Sequence, residues 1–91
     1  MARGPDLETD LNLFIDETAE DWGFNKRPDA AAILKGRAQV SALAFARAMV
    51  EADGMQPDRE PSWVRRLKRR FGQRYRADAI TAEEFAEDAW D

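Results

Sequence analysis

Hydrophobic positions recur along the chain with a helical period, in four blocks separated by turn-forming residues. From about Pro5 to Trp22, the residues Leu7, Leu11, Phe14, Ile15, Thr18 and Trp22 fall on one arc at 3.6-residue spacing. Asp6, Asp10, Asp16, Glu17, Glu20 and Asp21 fall opposite, with Leu13 stranded among the acids. This predicts a surface helix over 5–22 with an acidic outer face, ended by Gly23 and the polar run Asn25 to Arg27. The second block, about Pro28 to Asp53, reads as one long helix of roughly 39 Å at ~1.5 Å per residue, with Gly36 as its weak point. Within it, "AQVSALAFARAMV" (38–50) has only Gln39, Ser41 and Arg47 as polar residues. A helix apolar nearly all round is buried on several sides, so this Ala-rich segment is either the central helix of a bundle or part of a homodimer interface.

A loop, "GMQPDRE" (54–60), separates it from a third helix over about 61–76. Here Trp63, Val64, Leu67, Phe71 and Tyr75 share an arc of about 120°. Arg74 falls inside that arc if the helix continues past Gly72; either the helix breaks there, or the Arg74 stem lies over the core and its head reaches out. The fourth segment, 81–90, carries the S/T-x-x-E capping box at Thr81 and Glu84, and Ile80 with Phe85 supply a hydrophobic staple. Ala82, Phe85, Ala86, Ala89 and Trp90 then recur at helical spacing. No internal repeat is evident, and the only strand-like alternation is weak, in "QRYRADAIT" (73–81). The expected fold is therefore all-α: a single domain of four helices, three long and one short and C-terminal, with the Ala-rich second helix at its centre. Proline at the first helical position suits Pro5, Pro28 and Pro61, because its missing N–H would be unpaired there in any case.

Composition narrows the function classes. Ninety-one residues bury only a thin core. At 44% hydrophobic and 35% charged, the chain suits a globular protein rather than a disordered one. It has neither cysteine nor histidine, which removes disulfides, the usual zinc ligands and the usual nucleophile–base pairs. The absence of cysteine is compatible with a reducing cytoplasm, the expected location. No apolar run is long enough to span a membrane, and the N-terminus lacks the apolar core of a signal peptide. Arginine outnumbers lysine 11 to 3 and alanine occurs 16 times, a usage that suits GC-rich bacterial or phage coding. Of the two serines, Ser41 sits in the apolar helix and Ser62 reads as a cap. The paired carboxylates, such as Asp16 with Glu20, lie at helical spacing on an outer face open to solvent, a solvated surface rather than a general-acid site. The acids and glycine of "EADGMQPDRE" (51–60) lack the alternate spacing of an EF-hand calcium loop, and no phosphate-binding glycine pattern occurs. The expectation is a non-enzymatic protein without cofactor or metal.

Charge supplies the candidate site. "SWVRRLKRRFGQRYR" (62–76) holds seven basic residues and no acid, while the whole chain has net charge −4, so the rest carries −11. Arg65, Arg66, Lys68, Arg69, Arg70, Arg74 and Arg76, with Trp63, form the first candidate interface. Because both the acidic and the basic helices turn apolar stripes inward, opposite charges are expected to meet only at helix edges. Glu83, Glu84, Glu87, Asp88 and Trp90 on the C-terminal helix form a second candidate, able to sit in a partner's groove or to fold back over the basic helix. Trp22 and Phe85 read as core; Trp63 and Trp90, at helix ends, suit core or interface.

The leading expectation is a protein–protein interaction module, a small regulator, inhibitor or adaptor. The alternative is nucleic-acid binding through the Arg-rich helix. Against that alternative stand the acidic pI of about 4.8 and a connection longer than a helix-turn-helix turn. A lipid-surface role fits the basic amphipathic helix less well, since the flanking acids repel anionic headgroups.

Overall fold

The computed structural model describes residues 6–89, which form five α-helices and a two-stranded antiparallel sheet. In chain order these are α1 (Leu7–Trp22), α2 (Ala30–Leu34), β1 (Gln39–Ser41), α3 (Ala42–Ala52), α4 (Pro61–Tyr75), β2 (Ala79–Thr81) and α5 (Ala82–Ala89). A 3-10 turn at Pro57–Arg59 interrupts the loop between α3 and α4. The fold is mostly helical, as the periodicity requires, but not wholly so.

The main departure is the second block, where the single long helix expected over 28–53 is two helices and a strand. α2 stops at Leu34, and Gly36 turns the chain with φ +69°, a left-handed conformation that costs an L-residue roughly 1–2 kcal/mol and glycine almost nothing. The chain then enters β1, and α3 begins only at Ala42. Ser41, expected inside an apolar helix, is the N-cap of α3: Ala44 N–H donates to its Oγ at 3.0 Å. Nor is α3 buried on all sides. Ala42, Phe45, Ala46, Met49 and Val50 point into the core, while Leu43, Arg47 and Glu51 face solvent. The apparent lack of a polar face came from alanine, which occupies buried positions (Ala42, Ala46) and half-buried ones (Ala44, Ala48, Ala52) alike.

The other helices follow the sequence pattern closely. Asp6 caps α1, accepting from Thr9 N–H at 2.8 Å, and Gly23 closes it in the left-handed region. Pro61 opens α4 behind Glu60 as N-cap, so Ser62 is not the cap. The helix runs unbroken through Gly72 to Tyr75. The capping box of α5 is reciprocal: Glu84 N–H donates to Thr81 Oγ1 and Thr81 N–H to Glu84 Oε1, both at 3.1 Å.

β1 and β2 pair with Val40 opposite Ile80, flanked by Gln39 opposite Thr81 and Ser41 opposite Ala79. In each half of the chain a three-residue strand lies between two helices, α2 and α3 around β1, α4 and α5 around β2, and the antiparallel strands join the halves, with α1 added to the first. The sequence carries this repeat after all. "VSALAF" (40–45) and "ITAEEF" (80–85) match in kind at the buried strand residue, the hydroxyl cap, the first helical alanine and the phenylalanine. Val40 and Ile80 are buried because they are the inward positions of the two strands. Phe14 stacks on Phe45 at 4.8 Å, Phe45 meets Phe71 at 5.7 Å, and Phe71 meets Tyr75 at 4.8 Å, so aromatic rings from α1, α3 and α4 form the centre of the core.

Candidate functional site: the basic helix and its two faces

α4 is one turn after another of arginine, and the fold sorts these arginines into two stripes. Arg66, Arg70 and Arg74, at i, i+4 and i+8, lie along the edge that meets α1. On α1 the facing residues are Asp10, Glu17 and Asp21, at i, i+7 and i+11, which border its apolar arc. Arg74 binds Asp10 through two parallel bonds, Nη2 to Oδ1 at 2.8 Å and Nε to Oδ2 at 3.1 Å, and its Nη1 lies 3.5 Å from Glu17 Oε2. The Tyr75 hydroxyl donates to the same Asp10 Oδ2 at 2.8 Å. Arg70 Nη2 donates to Asp21 Oδ2 at 2.7 Å. The stems lie on aromatic rings: the guanidinium carbon of Arg74 is 5.1 Å from the Phe14 centroid, and that of Arg66 is 4.7 Å from Trp63 and 5.2 Å from Trp22.

Arg74 therefore does reach across the core edge, as its position on the apolar arc foreshadowed. The bond to Asp10 holds its guanidinium more firmly protonated than usual, against a smaller opposing effect of burial. Tyr75 is pushed above the ordinary tyrosine value, first by burial and then by its bond to Asp10 and the charge there.

The expected site thus divides. Arg70 and Arg74 are neutralised in place by α1, and Arg66 is laid over Trp22 and Trp63. Arg65, Lys68, Arg69 and Arg76 are exposed, with no carboxylate within 4.0 Å among the described residues. Trp63 is half-buried, 5.1 Å from Phe24 and 5.8 Å from Trp22 between ring centroids, and serves as an edge of the core. Of the second candidate, α5 meets the end of α4 through Phe85, 6.3 Å from Tyr75 between ring centroids. Glu83 and Glu84 are exposed on the first turn of α5, which sits against α1 and β2, and Glu84 is occupied by its capping box. The backbone of Glu87 and Asp88 belongs to α5, but their side chains, like the whole of Trp90, lie outside what the structure describes. Among the described residues, the acids that meet the basic helix at its edge come from α1.

Arg47 was absent from the sequence-derived site. It projects from α3 and joins Arg65 and Lys68 around a groove of about 410 Å³ whose apolar walls are Pro57, Pro61 and Val64. Asp58 also lines the groove and pairs with Arg47 at 3.3 Å, an exposed contact. The signal that could have found Arg47 is its place as the one cation inside the Ala-rich segment.

The fold contains two helix–loop–helix spans, one in each half of the chain. Gln73 to Glu84 has about the twelve-residue reach of a calcium-binding EF-hand loop. Its ligand positions, however, carry Gln73, Tyr75 and Ala77; Asp78 stands where that turn needs glycine; and Tyr75 is buried. The matching span in the first half, Ile33 to Ala44, places Lys35 and Arg37 at ligand positions. These residues do not fit calcium. No group of three or more histidine, cysteine or acidic residues suited to a metal occurs among the described residues, and no helix there is long and apolar enough to cross a membrane.

Comparison with known proteins gives no match: no family model fits the chain, and no curated protein or solved structure is similar to it.

Proposed function

We propose that the chain is a non-catalytic, metal-independent binding module that docks an acidic segment of a protein partner on the outward face of α4. The observation that carries this is the division of the arginines. The fold pairs Arg70 and Arg74 with carboxylates of α1, and leaves Arg65 and Lys68, with Arg47, around a groove walled by Pro57, Pro61 and Val64. Cations flanking an apolar strip complement a peptide that alternates acidic and apolar side chains. A phosphate backbone offers charge but little to cover the strip, and the acidic chain as a whole opposes long-range attraction to nucleic acid.

The test is fluorescence anisotropy with a labelled acidic–apolar peptide, a DNA duplex and an RNA hairpin, each at two salt concentrations. Peptide binding that the Arg65→Glu/Lys68→Glu variant abolishes is the expected result. Both side chains are exposed and bonded to nothing in the fold, so the variant remains folded. Nucleic-acid binding that falls with salt at a slope near 0.9 per phosphate, alongside an indifferent peptide, makes this surface a phosphate reader and refutes the proposal.

A second reading, self-association through α3, draws on exposed Leu43 and on the small side chains Ala44, Ala48 and Ala52, which with Ile33 and Ala32 line a groove of about 460 Å³. Light scattering decides it: mass that grows with concentration supports it, and a strict monomer at high concentration removes it.

A further inference from the structure

On the opposite flank of α4, Arg66, Arg69, Arg70 and Gln73 recur at i, i+3, i+4 and i+7, so their side chains share one face. With Trp22 from the end of α1 they enclose a concavity of about 140 Å³ that shares no residue with the groove described above. We propose that this concavity is a binding site for a phosphate monoester group.

The guanidinium carbons of Arg66 and Arg70 each lie 5.2 Å from the Trp22 ring centroid, so the indole is a common wall that fixes both and keeps water off one side. Three guanidiniums face this space and one carboxylate answers them, Asp21 at 2.7 Å from Arg70 Nη2. Arg70 also keeps one buried donor, Nε, without an acceptor, while Arg66 and Arg69 have no carboxylate within 4.0 Å among the described residues. The donors thus outnumber the acceptors that the fold provides.

Planar guanidinium forks match oxyanions, and a cluster of three exceeds what one carboxylate can use. A phosphate monoester brings three acceptor oxygens and a charge of about −1.5 to −2, and so fits both the donor count and the excess charge. A volume of about 140 Å³ suits a phosphoryl group. The Gln73 amide adds a neutral donor.

Trp22 makes the site its own reporter. Inorganic phosphate is titrated into the intact protein while tryptophan fluorescence is followed, against sodium chloride at matched ionic strength. The expected result is a saturable change with phosphate only. Arg69→Ala weakens it by about tenfold or more, the loss that one charge-assisted contact implies. Arg69→Lys, which keeps the charge and loses the fork, weakens it by less. Arg65→Ala, one turn before Arg69 and lining the groove rather than the concavity, leaves it within about twofold. Arg69 is exposed and holds nothing in the fold, and circular dichroism verifies that its variants are folded. A phosphoserine peptide bound more tightly than inorganic phosphate, with its unphosphorylated form not bound, places the monoester on a partner's side chain. Equal binding of the two marks a site for the free anion. Phosphate indistinguishable from chloride overturns the proposal, and so does an Arg65→Ala loss equal to that of Arg69→Ala, since the response is then diffuse charge. Neither failure touches the groove of Arg47, Arg65 and Lys68, which is probed by peptide and by different variants.

Discussion

Asp10→Asn is expected to be the most costly single change on the surface of this protein. Asp10 accepts three hydrogen bonds, two from Arg74 and one from Tyr75, and its side chain is 14% exposed against 29% for Arg74. The amide that replaces it keeps one acceptor, presents N–H groups to donors and removes the charge that compensates Arg74. Exposed ion pairs are worth about 0.2–1 kcal/mol, and breaking a buried one costs about 3–5 kcal/mol. At this intermediate burial the loss is about 2–3 kcal/mol. For a chain of this length that lowers Tm by about 10–20 °C. Asp16→Asn is the internal control: its pair with Arg27 is 55% and 44% exposed on the two sides, and its loss should cost less than about 1 kcal/mol. Thermal unfolding by circular dichroism measures both. A double-mutant cycle with Arg74→Met isolates the coupling, expected to exceed about 1 kcal/mol. If Asp10→Asn lowers Tm no more than Asp16→Asn does, the α1–α4 edge is not held by this cluster, and the division of the arginines into structural and free loses its energetic basis.

Thr18 is fully buried with its hydroxyl unpartnered, so Thr18→Val should gain about 1 kcal/mol and raise Tm by about 4–8 °C; a fall in Tm would reveal an acceptor for that hydroxyl. Tyr75 is the single tyrosine, and its folded pKa lies above its unfolded value of about 10, so it contributes stability that is fully present below pH ~10 and is lost as pH rises beyond it. Its phenolate absorbance should appear only together with alkaline unfolding, and a phenolate titrating in the native state near pH 10 would contradict the buried bond to Asp10. Arg76 ends α4 at φ 55°, so Arg76→Gly should stabilise by about 0.5–1 kcal/mol in denaturant titration, and a loss would mean that the arginine side chain holds the turn.

Much of this molecule was legible because α1, α4 and α5 each carry an apolar stripe against a charged background. The start of α4 at Pro61 and the Thr81–Glu84 box are local chemistry and needed no tertiary information. The stretch from Pro28 to Asp53 was not legible for a physical reason. Its alanines satisfy helix everywhere, and the signal that ends the helix is a pairing of Val40 with a residue forty positions later. Comparing the flanks of the two strands, "VSALAF" with "ITAEEF", would have exposed it. The basic site was legible as a patch but not as two stripes. Which arginines are used up depends on where α1 lies, and only Arg74, stranded on the apolar arc, betrayed its role in advance.

The β1–β2 ladder also determines what would happen if the loop between Gly54 and Glu60 were severed. Neither half closes its own core: Phe45 from the first half meets Phe71 from the second, and Phe14 meets Tyr75 at 5.8 Å. The two halves are in effect each other's ligand, held at one effective concentration by a short tether. Supplied as separate chains they should complement one another, gaining structure only when mixed, with a stability that rises with concentration. In the intact chain the same geometry makes that loop the hinge through which two molecules could exchange halves.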